Sequence, residues 1–126
     1  MERFEQRKKD LMNVFGRLKE GLTKGDDDLY IDGILQRFEF TFELAWKTMK
    51  DYLEYLGVID KIGSPREVIQ SAFKSNLIED GETWIAMMIS RNELSHIYDA
   101  TESRIIYNRI KGEYVGLIEK LLNKLS

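Results

Sequence analysis

The sequence has no cysteine, one proline and one histidine in 126 residues. Without cysteine there are no disulfides, thiolate metal sites or thiol nucleophiles. The single imidazole, His96, rules out multi-histidine metal centres, so no metal site or cofactor is expected. One proline favours long uninterrupted elements, because proline inside a helix costs about 3 kcal/mol. Long apolar runs are also missing. The longest, Trp84 to Ile89, falls far short of the roughly 20 residues that cross a bilayer. Met1-Glu2-Arg3 leads into mixed charged and apolar residues rather than an apolar targeting region. A cytoplasmic protein with no membrane association is expected.

What is present is a balance of 43% apolar and 33% charged residues, which suits a soluble globular chain with a core. At this length one domain over residues 1–126 is expected. The net charge of -3 is uneven. Residues 1–25 hold seven basic side chains against four acidic, and residues 26–60 hold three against nine. No segment is basic enough to announce nucleic-acid binding on its own, and DNA is not an expected partner.

Helical periodicity runs through almost the whole chain. Phe4, Leu11, Phe15, Leu18 and Leu22 form one stripe of a first helix. Gly25 and Asp26-Asp27-Asp28 interrupt it, and the acidic run suits the start of a second helix, from about Leu29 to Leu56, with Gly57 as its stop. Ser64-Pro65-Arg66-Glu67 has a cap, a first-turn proline and a capping-box glutamate, and opens a short helix carrying Val68, Ile69, Ala72, Phe73 and Leu77. Asp80 is placed to cap a fourth helix, Glu82 to about Leu94. Its Trp84, Ile85, Met87, Met88 and Ile89 are apolar on nearly every side, as in a central helix. Asp99 to Glu102 repeats the capping spacing before a last helix striped by Ile106, Ile110, Tyr114, Leu117, Leu121 and Leu125. The pattern predicts an all-α antiparallel four-helix up-and-down bundle with an additional short helix. Aromatic-rich faces in excess of one small core point to a homodimer.

The densest polar cluster is Arg91-Asn92-Glu93-Leu94-Ser95-His96-Ile97-Tyr98. On an ideal helix Asn92 and His96 share a face that continues the stripe of Ile85, Met88 and Ile89, and polar groups there must be paired or face a cleft. A guanidinium can hold a phosphate by two hydrogen bonds, and an imidazole moves protons near neutral pH. Together they could catalyse phosphodiester transfer to a 2'-hydroxyl without metal. The alternative is structural: Asn92 and His96 satisfy the last carbonyls of a helix, and Arg91 pairs with a glutamate. An unbroken helix would separate Arg91 and His96 by about 140°, whereas a helix ending near Ser95, or a second protomer, would bring them to one phosphate.

Arg91, four intervening residues and His96, followed by Tyr98, resemble the Arg-x4-His-x-Tyr motif of HepT-type toxins in the HEPN superfamily. The segment from Phe38 to Lys47 is similar to the Phe-Glu-x-x-x-Glu-x-x-Trp-Lys helix of nucleotidyltransferase substrate-binding proteins in the same superfamily. The resemblance implies a HEPN-like bundle that acts as a dimer and partners a minimal nucleotidyltransferase encoded nearby. It further implies a toxin that cleaves RNA without metal, with Arg91 and His96 as catalytic residues of both protomers. The partner would serve as antitoxin by transferring AMP onto Tyr98, and nucleotidyl transfer would belong to that partner. A non-catalytic subunit that binds RNA or nucleotide, or only dimerises, is the alternative.

Asn92 is expected to support the site. Glu43 and Lys47 sit four apart and by spacing alone form a surface ion pair worth about 0.2–0.5 kcal/mol. Their place in the family-like segment makes them candidates for substrate binding instead. Trp46 reads as core, and Gly112-x-x-x-Gly116 as a place for a close helix crossing.

Overall fold

A computed structural model describes residues 2–58 and 63–126, which are almost entirely helical, with no strand among the described residues. Helix α1 spans Glu2–Gly21 and α2 spans Asp28–Tyr55. The short α3, Pro65–Lys74, precedes α4, Gly81–Glu93, and a single 3-10 turn, Leu94–His96. Helix α5, Ala100–Arg109, then continues through a π turn, Ile110–Tyr114, into α6, Val115–Leu125. The order is that of a helical bundle with one extra short helix.

The starts follow the expected capping chemistry. Asp27, Ser64, Asp80 and Asp99 each accept a hydrogen bond from a free backbone amide in the first turn of α2, α3, α4 and α5. Gly57 stops α2 with φ +74, a left-handed conformation that side chains rarely adopt. At Gly21 an added Cβ would lie 2.6 Å from Ile34 Cδ1, so the missing side chain lets α1 lie close against α2.

One core joins the helices. Leu11, Leu18, Phe38, Ala45, Met49, Leu53, Met87, Ile110, Tyr114 and Ile118 are fully buried. Phe38 stacks on Tyr114 with ring centroids 5.6 Å apart, and Phe42 tilts against Trp84 at 6.5 Å. Trp84 is 1% exposed, in line with the central role read for its helix. Three apolar positions depart from their stripes: Leu56, Phe73 and Ile89 are exposed. Leu56 lies just past the end of α2, and Phe73 caps the short α3–α4 corner, where it lies against Gly81. The Gly112 and Gly116 pair forms no close crossing, since nothing lies within 4 Å of a Cβ added at either. Gly112 sits inside the π turn instead.

That turn aims Tyr114 inward. Its Oη lies 2.7 Å from Ser90 Oγ and donates to the Ala86 carbonyl at 3.3 Å, tying the last helix to α4 one residue before Arg91. Burial pushes the Tyr114 phenol up, which keeps it neutral. A second buried polar group is not so well satisfied. Asp51 is 8% exposed, its Oδ2 accepts no hydrogen bond among the described residues, and Arg7 Nε lies 3.6 Å away. Burial raises its pKa, and the Arg7 charge offsets this only in part. Because the folded pKa lies above the unfolded value of 3.8, folding favours the protonated acid. Stability is therefore lost as pH rises from about 3.8 through the folded pKa. Asp51→Asn removes that penalty. Its melting temperature is expected to exceed that of the wild type at pH 7, with the gain shrinking at pH 4 in parallel thermal melts.

Candidate functional site

The polar cluster lies where α4 ends beside the N-terminal half of α2. Asp32, Gln36, Glu39 and Glu43 recur at intervals of four, three and four residues, so they share one face of α2. Glu43 is the centre of a relay. Its Oε2 accepts from Trp46 Nε1 at 3.1 Å and from Arg91 Nη2 at 3.4 Å. Glu39 Oε2 lies 4.0 Å from the same Arg91 nitrogen, and Arg91 Nη1 reaches Asn92 Oδ1 at 3.5 Å. Two carboxylates thus hold one guanidinium across the α2–α4 contact. Arg91 Nε is buried without a partner among the described residues, so one donor of the group is unused there.

This geometry departs from the local pairing of Glu43 with Lys47. No ion pair links them among the described residues, and Lys47 Nζ lies 6.0 Å from the Trp46 ring centroid. The tertiary partner wins because a charge-assisted bond to a part-buried arginine outweighs an exposed helix-surface pair. The expectation that Arg91 pairs with a glutamate, and that Trp46 belongs to the core, describes the same contacts.

Helix α4 stops at Glu93, two residues before the end near Ser95 that would help Arg91 and His96 meet on one phosphate. The 3-10 turn follows, and Ile97 is extended with φ -96 and ψ 122. Asn92 and His96 therefore do not share one helical stripe. Asn92 and His96 are exposed, and Tyr98 is 87% exposed. Arg91 faces α2, whereas His96 lines a cleft of about 390 Å³ with Glu93, Ile97, Glu102, Ile105 and Ile106. Tyr98 lines a smaller one of about 210 Å³ beside Asp28, Asp32 and Asp99. Within one chain Arg91 and His96 are not joined by a hydrogen bond.

A third and larger cleft, about 540 Å³, opens between α2 and the turn after α4. Asp32, Gln36, Glu39, Leu94, Ile97 and Ser103 are among its lining residues. Glu39 connects it to Arg91. Sequence reasoning passed over Asp32, Gln36 and Ser103, although the spacing of the first two with Glu39 and Glu43 is a readable signal. The surroundings are acidic. Arg104, the cation nearest Tyr98 in sequence, is occupied by Asp28 Oδ1 at 3.2 Å and the Asp26 carbonyl at 3.0 Å.

The fold recurs in known proteins. A Thermus thermophilus protein of known crystal structure superposes with a TM-score of 0.84, at 29% identity, covering 91% of this chain and 98% of its own. HI0074 of Haemophilus influenzae, described as having the fold of a substrate binding domain of a nucleotidyltransferase, gives 0.77 at 26% identity, covering 94% and 98%. A Haemophilus influenzae protein described as a probable ribonuclease HepT is 35% identical over 86 residues, which is 66% of this chain. The match spans 59% of that relative's length. No helix among the described residues is long and apolar enough to cross a membrane. Residues 3–126 match the family described as nucleotidyltransferase substrate binding protein like, and the chain belongs to that family.

Proposed function

We infer that this protein is the RNA- or nucleotide-binding partner of a minimal nucleotidyltransferase encoded nearby, and that its dimer cleaves RNA without metal. The observation that carries this reading is Arg91 itself, clamped by Glu39 and Glu43 with 31% of its side chain still exposed. A guanidinium held in a fixed plane with part of its side chain open to solvent is prepared for a phosphate. His96 stands exposed nearby as the chain's one imidazole.

The chemistry follows from these groups. A 2'-hydroxyl loses its proton and attacks phosphorus, the P–O5' bond breaks, and O5' takes a proton. The products are a 2',3'-cyclic phosphate and a 5'-hydroxyl end. His96 of one copy accepts the 2'-hydroxyl proton and returns it to the departing O5', while Arg91 of the other copy stabilises the charged phosphate. Two copies are needed because Arg91 and His96 of one chain point toward different elements. Asn92 steadies Arg91, and Lys47 gives the RNA backbone a cation beside the Trp46 ring. Tyr98, 87% exposed, is accessible as the hydroxyl onto which the partner transfers AMP, so pairing as toxin and antitoxin acts through that residue. We place the pair in the cytoplasm, with this chain as one domain.

The test is incubation of the purified protein with single-stranded RNA in EDTA. We expect fragments ending in 2',3'-cyclic phosphate. Intact RNA alongside measurable nucleotide binding would overturn the nuclease reading in favour of a non-catalytic substrate-binding subunit.

A further inference from the structure

We propose that the cleft between α2 and the turn after α4 is a base subsite that selects guanine next to the phosphate held by Arg91. The proposal rests on the reading of Arg91 as the phosphate ligand and adds to it which base is taken. The cleft joins Arg91 directly, since Glu39 lines it and lies 4.0 Å from Arg91 Nη2. At about 540 Å³ it has room for one base and its sugar.

The lining argues for a base rather than for backbone. Asp32 and Glu39 present carboxylates that repel a phosphate but accept the N–H donors of a base edge. Leu94 and Ile97 supply an apolar wall on the opposite side, and RNA bases are commonly recognised between such a surface and polar groups on their Watson–Crick edges. Ser103 is an independent sign of a missing ligand. It is 7% exposed, lines the same cleft, and its hydroxyl forms no hydrogen bond among the described residues. The oxygen is not sealed off, so it opens to the cleft and is free to meet a base.

Guanine is the base that matches. Its Watson–Crick edge offers two adjacent donors, N1–H and the 2-amino group, which one carboxylate can accept together. Adenine and cytosine each place a ring acceptor beside their amino donor, and uracil flanks its single N–H with two carbonyls, so each would set a lone pair against a carboxylate. Guanine O6 remains as an acceptor for the Gln36 amide or the Ser103 hydroxyl.

Binding of GMP, AMP, CMP and UMP to the purified protein, measured by calorimetry, separates this proposal from the nuclease reading, because it requires no cleavage. GMP is expected to bind about 10-fold or more tightly than the other three, the discrimination of one good bidentate contact. Asp32→Asn and Glu39→Gln should each reduce that preference, and Gln36→Ala should weaken GMP binding without affecting the overall fold seen by circular dichroism. Equal affinity for the four nucleotides, or a GMP preference that survives both carboxylate substitutions, would overturn the proposal. Intact RNA in EDTA together with selective GMP binding would leave the subsite standing and remove the nuclease.

Discussion

Arg91→Ala is expected to lower RNA cleavage by about 10²–10³-fold, the usual loss when one donor to a developing oxyanion is removed. The direction follows from the relay. The guanidinium is fixed by Glu43 at 3.4 Å, and Glu43 is itself fixed by the Trp46 indole at 3.1 Å. Arg91→Lys should recover little, since an ammonium cannot reproduce the planar donor pair. Glu43→Gln separates positioning from charge. The amide keeps an oxygen for the Trp46 and Arg91 donors but loses its charge, so activity should fall less than in Arg91→Ala while substrate binding strengthens. Initial rates across an RNA concentration series distinguish the two effects. If Arg91→Ala cleaves at the wild-type rate, the guanidinium is structural and the relay merely packs α2 against α4.

The largest stability effect is expected from Phe38→Ala. Phe38 is fully buried and stacks on Tyr114, which anchors the π turn to α4 through Ser90 and Ala86. Truncation loses the transferred apolar area and leaves a cavity among residues of α2, α4 and the last helix. The cost is about 3–5 kcal/mol. For a chain of this size that lowers the melting temperature by about 10 °C or more in a thermal melt followed at 222 nm. A fall of only a few degrees would mean that neighbouring side chains refill the space. Tyr114→Phe tests the adjoining link at smaller scale. It keeps the ring stack and leaves Ser90 Oγ without its phenol partner, at a cost of about 1 kcal/mol.

Helix positions were legible because they depend on local chemistry. Asp80, Ser64 and Asp99 announce their helices by short-range capping, and Gly57 ends α2 where backbone freedom is needed. The site was legible as a set of residue types but not as geometry. Nothing in Leu94-Ser95-His96 is a breaker, so the 3-10 turn that splits Asn92 from His96 is imposed by the chain's need to reach Asp99 and start α5. The π turn likewise arises from packing. It accompanies the contacts of Tyr114 Oη with Ser90 and the Ala86 carbonyl, which local spacing does not announce. Glu43 illustrates the limit most clearly. Spacing pairs it with Lys47, while the fold gives it Arg91, a partner 48 positions away.

The exposed apolar residues carry a similar lesson. Leu29, Phe40, Ile89 and Ile105 belong to helices yet stay outside the core of one chain. Phe40 falls on the outer side of α2 beside Glu39 and Glu43, where a second copy would cover it. Covering such a face stabilises association by about 25 cal/mol for each Å² of apolar surface removed from water. Because the clefts have acidic surroundings and the chain carries a charge of -3, the proposed attraction of RNA would rest on a few directed cations rather than on a broad basic field. Arg91 is first among them.

In this account one phosphate is served by Arg91 and His96 drawn from two copies of the chain. Mixing inactive Arg91→Ala and His96→Ala proteins under conditions that exchange protomers tests that sharing most directly. Each variant alone should leave RNA intact in EDTA, and the mixture should regain cleavage because mixed dimers hold one intact arginine opposite one intact histidine. A mixture as inactive as its components, with protomer exchange verified by mass spectrometry, would contradict a shared site.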